Sequence, residues 1–341
     1  MQDALFPEEI APPPATPTTT RPRAGVRSCP ADAEQIALAA ALPAGAHLGT
    51  SSWTYPGWAG IVWDKLYAET MLSKLGLAAY SQQPLLRAVS IDRGFYRPLS
   101  ASQYERYAAQ VPTGFRFTVK APSLVADALL RDEGGRGQQA NSAFLSPELA
   151  VQEFVQPALE GLGARIGALV FQLSPLPHNL RERMPAVLRR LDAMLQALPS
   201  LKPIAPDGVI AVEVRDPEFL TPAFVEVLRA GGATYCLGLH PKLPPIEQQL
   251  PLLRALWPGP LVCRWNLNRL HGAYGYEEAR RLYGDFDKIV DPDPATHAVL
   301  AKLIRATTAA GYKAYVTVSN KAEGCAPLTV RTLARAVVDQ G

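Results

Sequence analysis

The sequence lacks the features that would place it among membrane, secreted or disulfide-rich proteins. Its four cysteines, at positions 29, 236, 263 and 325, are far apart and form no CxxC pair, which favours a reducing compartment. No apolar run reaches the ~18 residues of a membrane-spanning helix. The N-terminus also lacks the basic-then-apolar order of a signal peptide. We therefore expect a soluble cytoplasmic protein with no membrane partner.

The motifs of common cofactor sites are missing as well. Neither GxGxxG nor GxxxxGK[ST] follows any apolar strand, so no nucleotide cofactor is predicted. The five histidines show no HxH or HExxH spacing, and we do not expect a metal, although His240 could act as a ligand with Glu213 and Asp216. Ser51 and Ser52 are not in a GxSxG motif. The net charge of +3, from 34 basic and 31 acidic residues, argues against non-specific binding to nucleic acid.

What the chain does have is a regular alternation of short apolar strands with helical segments. Near-continuous apolar strands separated by helices are typical of a parallel sheet covered on both faces. Eight such units fit a closed (β/α)8 TIM barrel better than an open doubly wound sheet. The strand candidates are His47–Trp53, Ala88–Phe95, Arg116–Ala121, Ala168–Leu173, Val209–Arg215, Thr234–Leu239, Leu261–Trp265 and Lys313–Ser319.

The segments outside this pattern divide the chain. Residues 1–44 are predicted to form a Pro-rich, disordered tail with one short helix over residues 31–42, and residues 45–341 to form the barrel domain. The connections Pro122–Ser146 and Asn266–Pro294 are unusually long and follow the third and seventh strands. Both connections therefore lie at the carboxyl ends of the strands. Long loops at this end of a barrel often form lids or binding loops, and some are merely disordered.

Motifs at six of the strands make the chain resemble the DUF72 (YecE-like) family. They read GTSSWTYPGW, FRFTVKAP, FQLSP, EVRD, the Arg of CRWN, and VSNKAEG, at strands one, three, four, five, seven and eight. The resemblance covers residues 45–339 and implies a TIM barrel, with no established reaction. Positions that match the family pattern are Gly49, Thr50, Ser51, Trp53, Tyr55, Phe95, Tyr96, Lys120, Phe171, Gln172, Glu213, Arg215, Arg264 and Asn320.

This chain also departs from the family pattern. Ser90 and Asp92 stand where the family often has Glu and Asn, and Asp216 stands where it often has His after Glu-x-Arg. Asn266 and Leu267 replace the His-Gly that often follows the seventh-strand Arg. We therefore expect a divergent branch, in which a mechanism that depends on those groups is altered.

The charged residues at strand ends are the main candidates for chemistry. Glu213 and Arg215 are two apart in strand five, so both face the same side, and the neighbouring valines imply that this side is the barrel interior. They form either a structural ion pair or an acid/base Glu213 beside an Arg215 that holds an anion. Lys120 could bind phosphate, pair with Glu213 or Asp92, or form a Schiff base.

Six of the eight strands end in such polar groups, and we predict that they line one site. A convergent polar set in an apolar scaffold is the usual form of a ligand pocket. The predicted catalytic residues are Glu213, Lys120 and Asp92. The predicted substrate-binding residues are Thr50, Ser51, Trp53, Tyr55, Tyr96, Gln172, Arg215, His240, Arg264 and Asn320.

The sequence leaves three functions open. The first is an enzyme, a hydrolase or lyase, that uses acid/base chemistry on a small anionic or sugar-like substrate, with a two-carboxylate hydrolysis if Asp92 and Glu213 are ~5 to 9 Å apart. The second is a nucleic-acid-processing or nucleic-acid-binding barrel, in which Trp53, Tyr55, Trp58 and Tyr96 stack on bases. The third is a non-catalytic ligand-binding or scaffold protein with the Pro-rich tail as an interaction arm.

Overall fold

The computed structural model describes residues 25–131 and 137–339, and within these ranges it contains ten strands. Their bounds are Ala46–Thr50 (β1), Ala88–Ile91 (β2), Arg116–Lys120 (β3), Leu129–Arg131 (β4), Gly137–Ala140 (β5), Ile166–Gln172 (β6), Val209–Glu213 (β7), Thr234–Leu239 (β8), Leu261–Trp265 (β9) and Ala314–Val318 (β10). Eight of them close into a parallel barrel in the order β1-β10-β9-β8-β7-β6-β3-β2. The predicted eight-stranded TIM barrel is therefore confirmed.

Helices follow the barrel strands and cover the sheet from outside. Their bounds are Ala33–Ala41 (α1), Glu69–Tyr80 (α2), Ala101–Ala108 (α3), Ser123–Ala126 (α4), Pro147–Ala150 (α5), Gln156–Leu162 (α6), His178–Arg181 (α7), Met184–Ala197 (α8), Pro222–Ala230 (α9), Ile246–Ala255 (α10), Tyr276–Tyr283 (α11), Pro294–Ala309 (α12) and Ala326–Asp339 (α13). Helix α9 begins and ends at residues that favour those positions. The Thr221 side chain accepts from the Phe224 amide, Pro222 occupies the first turn, and Gly231 follows the last residue.

Alternation along each strand separates two apolar cores. Val212 and Val214 face outward into the large core between the sheet and the helices, while Ala211 belongs to a small cluster inside the barrel. The other members of that inner cluster are Ala168, Val170, Cys236, Val262 and Tyr315. Because Ala211 faces inward, Glu213 two residues later also faces inward, above the apolar cluster and toward the carboxyl ends of the strands.

Gly49 is placed where only a glycine fits. A Cβ atom on Gly49 would lie 1.8 Å from the carbonyl oxygen of Ala88 on the adjacent strand β2. The Tyr80 hydroxyl locks the same junction, because it accepts from the Thr50 amide at 3.0 Å and donates to the Ala88 carbonyl at 2.9 Å. The small residues at the start of the domain thus allow β1 and β2 to approach closely.

The described part of the N-terminal region packs against the barrel. Helix α1 begins with a capping box between Asp32 and Gln35, and Leu38 on its inner face is buried. Arg331 on α13 donates to Asp32 at 2.8 Å and also pairs with Glu34. Residues 1–24 of the predicted tail lie outside the described residues. Throughout the described ranges, no helix is long and apolar enough to cross a membrane.

The long connection after β3 contains an element that the sequence did not reveal. Strands β4 and β5 form an antiparallel pair in which Leu129 lies opposite Ala140. Residues 132–136 of this connection lie outside the described residues. Gly137–Ala140 has no apolar alternation in the sequence, so its pairing depends on the neighbouring strand rather than on an apolar pattern.

Candidate active site

A buried carboxylate, that of Glu213, lies at the centre of the carboxyl end of the barrel. Its side chain is fully buried, and its two oxygens bind different arginines. Oε1 pairs with Arg215 on the same strand, and Oε2 accepts from Arg264 Nη1 on β9 at 2.7 Å. Asn266 Nδ2 donates to Oε1 at 3.0 Å and completes the set. Glu213 therefore has the paired, hydrogen-bonded environment that a buried charge requires.

Space for this ion pair comes from a missing side chain on the strand between. Strand β8 separates β7 from β9, so the contact from Glu213 to Arg264 crosses the barrel interior. A Cβ atom on Gly238 of β8 would lie 3.2 Å from Glu213 Oε1 and 3.3 Å from Arg215 Nη1. A glycine at this position leaves room for the carboxylate and the two guanidinium groups.

Arg264 connects the buried carboxylate to the surface of the site. Besides Glu213, its Nη1 donates to Gln172 Oε1 at 2.8 Å, and its Nη2 donates to Asp92 Oδ2 at 2.6 Å. Asp92 keeps 38% of its side chain accessible, whereas Glu213 has none. The carboxylate that a ligand can reach is therefore that of Asp92.

The two arginines set the charge state of Glu213. Burial alone would raise the pKa of this carboxyl, but Arg215 and Arg264 outweigh burial and lower the pKa to about 2. Burial also disfavours the charged form of Arg264, and Asp92 and Glu213 reverse this and raise its pKa. At neutral pH the group is therefore a fixed carboxylate between two fixed cations.

A cleft of about 670 Å³ opens above this network. Nine residues that the sequence assigned to the site line it: Ser51, Tyr55, Asp92, Tyr96, Lys120, Gln172, Arg215, His240 and Arg264. They come from the ends of seven different strands, which a closed barrel brings to one mouth. The volume falls within the range typical of small-molecule sites.

Four predicted residues are not on the cleft wall. Glu213 lies beneath it, and Thr50 is buried with its hydroxyl bonded to the Ser52 carbonyl at 2.7 Å and to Tyr80. Trp53 is 6% exposed and packs edge-on against Tyr107. The Asn320 side chain instead accepts from Trp58 Nε1 and from a backbone amide of α13, so it fixes the start of that helix.

Lys120 ends β3 and reaches the cleft with a part of its surface accessible. Its Nζ lies 3.5 Å from the centre of the Phe95 ring, and within the described ranges no carboxylate approaches it to 4 Å. Burial lowers the pKa of this amine most, Asp92 opposes that effect, and Arg264 adds to it, which gives a pKa of about 7. Of the three outcomes considered from the sequence, pairing with Glu213 or Asp92 is therefore not seen, and Nζ makes a cation–π contact instead.

His240, at the end of β8, is a neutral hydrogen-bonding group. Burial and the nearby Arg215 lower its pKa to about 3. Its Nδ1 accepts from the Lys242 amide at 3.0 Å, which assigns the ring proton to Nε2. The ring lies 5.5 Å from that of Tyr276, and both line the cleft.

Several cleft residues were not assigned from the sequence because they lie beyond the ends of the strands. Lys242 follows β8, Lys321 follows β10, and Tyr274 and Tyr276 belong to the long connection after β9. Lys242 Nζ lies 4.3 Å from the centre of the Tyr274 ring. The length and tyrosine content of that connection were the sequence features that could have indicated Tyr274 and Tyr276. The two lysines had none, because a loop cation faces solvent as often as it faces a site.

Comparison with known proteins gives the family. The model of the family described as "Protein of unknown function DUF72" matches residues 47–341, which is most of the chain. The chain belongs to the DUF72 family. Two crystal structures of a DUF72 family protein from Enterococcus faecalis V583 match with TM-scores of 0.54 and 0.50. Both are 15% identical and cover 86% of this chain, and the matches span 95% and 97% of the E. faecalis chains.

Other comparisons add little to the assignment. A DUF72 family protein from Thermotoga maritima MSB8 matches with a TM-score of 0.46 and 18% identity, over 86% of this chain and 99% of its own. No curated protein matches the chain significantly. The two E. faecalis structures support the barrel fold, and the reaction of this DUF72 protein must be argued from its own residues.

Three of the positions where this DUF72 chain departs from the pattern expected for the family, Ser90, Asp92 and Asn266, are tied into the network. Ser90 donates to Asp92 Oδ1 at 2.5 Å, which orients the carboxylate toward Arg264. Asn266 binds Glu213, as described above. Asp216 is different, because its carboxylate accepts from the Leu176 amide at 2.8 Å, and burial raises its pKa. Asp216 thus fixes a loop beside the site.

Two further features bear on where a ligand could sit. Among the described residues, no group of three or more His, Cys, Asp or Glu is arranged to hold a metal ion. A second hollow, of about 890 Å³, lies at the opposite end of the barrel, where Asp207, Gly231 and Lys313 precede their strands. In barrels, ligand chemistry belongs to the carboxyl ends of the strands, so the 670 Å³ cleft is the candidate site.

Proposed function

We propose that this protein is an enzyme that transfers protons on a small anionic substrate bound in the cleft. The observation that supports this most is the charge of the cleft wall. Arg215, Lys242, Arg264 and Lys321 line it, while Asp92 carries the only carboxylate among the described lining residues. Buried Glu213 offsets part of this charge, and an excess of positive charge remains. Such a wall favours a ligand with a carboxylate or phosphate group.

Arg215 is the group best placed to hold that anion. Its hydrogen bonds to other described residues run from Nη1 alone, to Glu213 and to the Val214 carbonyl. Nε and Nη2 are left as donors, and a guanidinium with two free N–H groups binds a carboxylate or phosphate with two parallel bonds. The Glu213 contact fixes the orientation of the group before the ligand arrives.

Lys120 and Asp92 are the groups for proton transfer. With a pKa of about 7, Lys120 exists as amine and ammonium in similar amounts at neutral pH, which suits both accepting and donating a proton. Asp92 is the accessible carboxylate, and His240 Nε2–H can donate to a substrate oxygen. Glu213, expected from the sequence to be the acid/base group, acts here by fixing the arginines, because its pKa of about 2 makes it a weak base.

The test compares a charged ligand with its uncharged counterpart. Glycerol 3-phosphate and glycerol are titrated at constant ionic strength, and binding is followed by calorimetry and by thermal denaturation. We expect binding of the phosphate ester only. Lys242→Gln should weaken that binding about 5- to 10-fold through the loss of one nearby charge. Lys302→Gln, which changes an exposed lysine on α12, should leave binding unchanged. Equal effects of glycerol and its phosphate, or equal affinities of the two variants, would contradict the proposal.

A second function, binding of single-stranded nucleic acid, is favoured by two exposed aromatic rings. Tyr96 and Tyr274 are 87% and 85% exposed and both line the cleft. Exposed rings beside cations are a common platform for stacked bases. This alternative predicts binding of an oligonucleotide that weakens steeply with salt and with Tyr274→Ala. Glycerol 3-phosphate binding without such an effect would decide for the small-molecule site.

A further inference from the structure

Lys120 combines three features that its acid/base role does not require together. It ends a barrel strand at the cleft, it has no carboxylate within 4 Å among the described residues, and its Nζ is held over the face of the Phe95 ring. A lysine that only stabilised the fold or balanced charge would be expected to pair with a neighbouring acid. The ring positions Nζ, and because a cation–π contact is weaker than a buried ion pair, it holds the extra proton of the amine less firmly.

We propose that Lys120 is a nucleophilic amine that forms a reversible imine with an aldehyde or ketone carrying a carboxylate or phosphate group. This rests on the proposed anion site, because the cations of the cleft would hold the charged end of the ligand. It goes further by giving Lys120 a covalent role and by naming a carbonyl as the second group of the substrate. Buried lysines with few counterions are the usual source of such amines.

The charged groups around Nζ come from the ends of three strands, β2, β7 and β9. Asp92 on the loop after β2 and Glu213 on β7 attract the ammonium, while Arg264 and Arg215 repel it. Both carboxylates already bind guanidinium groups, so their attraction for Lys120 is partly cancelled. Burial and the two arginines therefore prevail, and about half of the amine is free of its extra proton at pH 7. An ordinary lysine has only roughly one free amine in 3,000 at that pH.

The reaction balances without an oxidant or a cofactor. The Nζ lone pair forms a bond to the carbonyl carbon, and the π electrons of the C=O bond move to the oxygen. The two protons of the neutral amine pass to that oxygen, with Asp92 as the accessible carboxylate to relay them. The nitrogen lone pair then forms the C=N bond as the C–O bond breaks, and the oxygen leaves as water.

The experiment traps the imine in the folded protein. The chain is incubated at pH 7 with glyoxylate, which carries an aldehyde and a carboxylate, and with cyanoborohydride, which reduces only the imine. Mass spectrometry then locates the resulting carboxymethyl group among the nine lysines. We expect Lys120 to be labelled roughly 10- to 100-fold faster than exposed lysines, since its larger fraction of free amine outweighs its lower basicity.

Two controls separate the site from general amine chemistry. Lys120→Met should lose the fast label, whereas Lys302→Met, at an exposed position, should keep it. Glycerol 3-phosphate, which has no carbonyl, should slow labelling of Lys120 in the unaltered chain by occupying the cleft, so this arm needs no variant to fold. Label spread evenly over the lysines, or an unchanged label in Lys120→Met, would overturn the proposal.

The two proposals fail in different ways. If glycerol 3-phosphate binds with the expected dependence on Lys242 and glyoxylate does not label Lys120, the imine is wrong and the anion site stands. If glycerol 3-phosphate neither binds nor slows the labelling, the anion site itself is wrong. Fast labelling of Lys120 that glycerol 3-phosphate does not slow would show a reactive amine outside any anion site, which also contradicts the imine as proposed.

Discussion

Replacing Glu213 by glutamine tests the network that organises the cleft. The substitution keeps the size of the side chain and removes one negative charge from between Arg215 and Arg264. The two guanidinium groups then face each other across the barrel without their shared carboxylate. Asn266 Nδ2, which donates to Glu213 Oε1, would also meet an amide that presents an N–H group in one of its two orientations.

Two independent magnitudes agree on a loss of several kcal/mol. Removing one partner of a buried ion pair costs about 3–5 kcal/mol of unfolding free energy. The pKa of Glu213, lowered from 4.5 to about 2, corresponds to about 3 kcal/mol of stability at pH 7. Because the folded-state pKa is lowered, this contribution is present above pH 4.5 and is lost as the pH falls toward 2. The difference between the two proteins should therefore shrink by about 2 kcal/mol between pH 7 and pH 3.

Urea denaturation at pH 7 and at pH 3 measures both quantities. Glu226→Gln is the matched control, because Glu226 is exposed and its only described salt bridge is with Arg229 on the same helix. The control should change the unfolding free energy by less than about 0.5 kcal/mol at either pH. A loss below 1 kcal/mol for Glu213→Gln at pH 7, or the same loss at both pH values, would refute the reasoning.

Three other changes have directions set by the structure. Gly49→Ala should prevent β1 from pairing with β2 and lower the yield of soluble protein, because the new Cβ would lie 1.8 Å from the Ala88 carbonyl oxygen. Gly114→Ala, with open space around the new Cβ, should leave that yield unchanged. Tyr80→Phe should lower the unfolding free energy by about 1–3 kcal/mol in urea, because the buried Ala88 carbonyl loses a donor. In the original protein, the lowered pKa of the folded Lys120 amine makes the unfolding free energy rise between pH 7 and pH 10.5. Lys120→Met removes this rise, so the substitution should increase the unfolding free energy more at pH 7 than at pH 10.5. A pH-independent difference would contradict this.

The barrel could be predicted from the sequence because each strand repeats one simple pattern. Val212 and Val214 alternate with Ala211 and Glu213, and this period of two places the charges inside without knowledge of the rest of the chain. Two predicted strands, Thr234–Leu239 and Leu261–Trp265, have the observed bounds, and the other six ran past their observed carboxyl ends. Ala88–Phe95, for example, includes the short 3₁₀ turn Arg93–Phe95 that follows β2. A local pattern does not show where a strand leaves the sheet.

The site could be predicted only in part, because the direction of a side chain at a strand end depends on its neighbours. Thr50 and Ser51 are adjacent, yet Ser51 lines the cleft and Thr50 binds Tyr80 beneath it. Asn320 has the same polar character as Gln172 but turns toward α13. Lys242 reaches the cleft through the path of its loop, which no periodicity records.

The acid/base role that the sequence suggested for Glu213 shows a second limit of sequence reasoning. A carboxylate that faces the barrel interior can act as an acid/base group or hold arginines in place. Only the number of cations around the carboxylate distinguishes these two roles. Two guanidinium groups bind this one, so it stays ionised. The same two cations are among the reasons that Lys120, which has no such partner, readily loses its proton.

The most direct test of the account is the titration of Lys120 by NMR in protein labelled at the lysine side chain, with Lys120→Met to assign the signal. If the amine lies unpaired in a cationic cleft that accepts an anion, its midpoint should lie near pH 7 and should rise when glycerol 3-phosphate is added. A midpoint near the ordinary lysine value of 10.5, unmoved by the phosphate ester, would contradict both the charge balance of the cleft and the role given to Lys120.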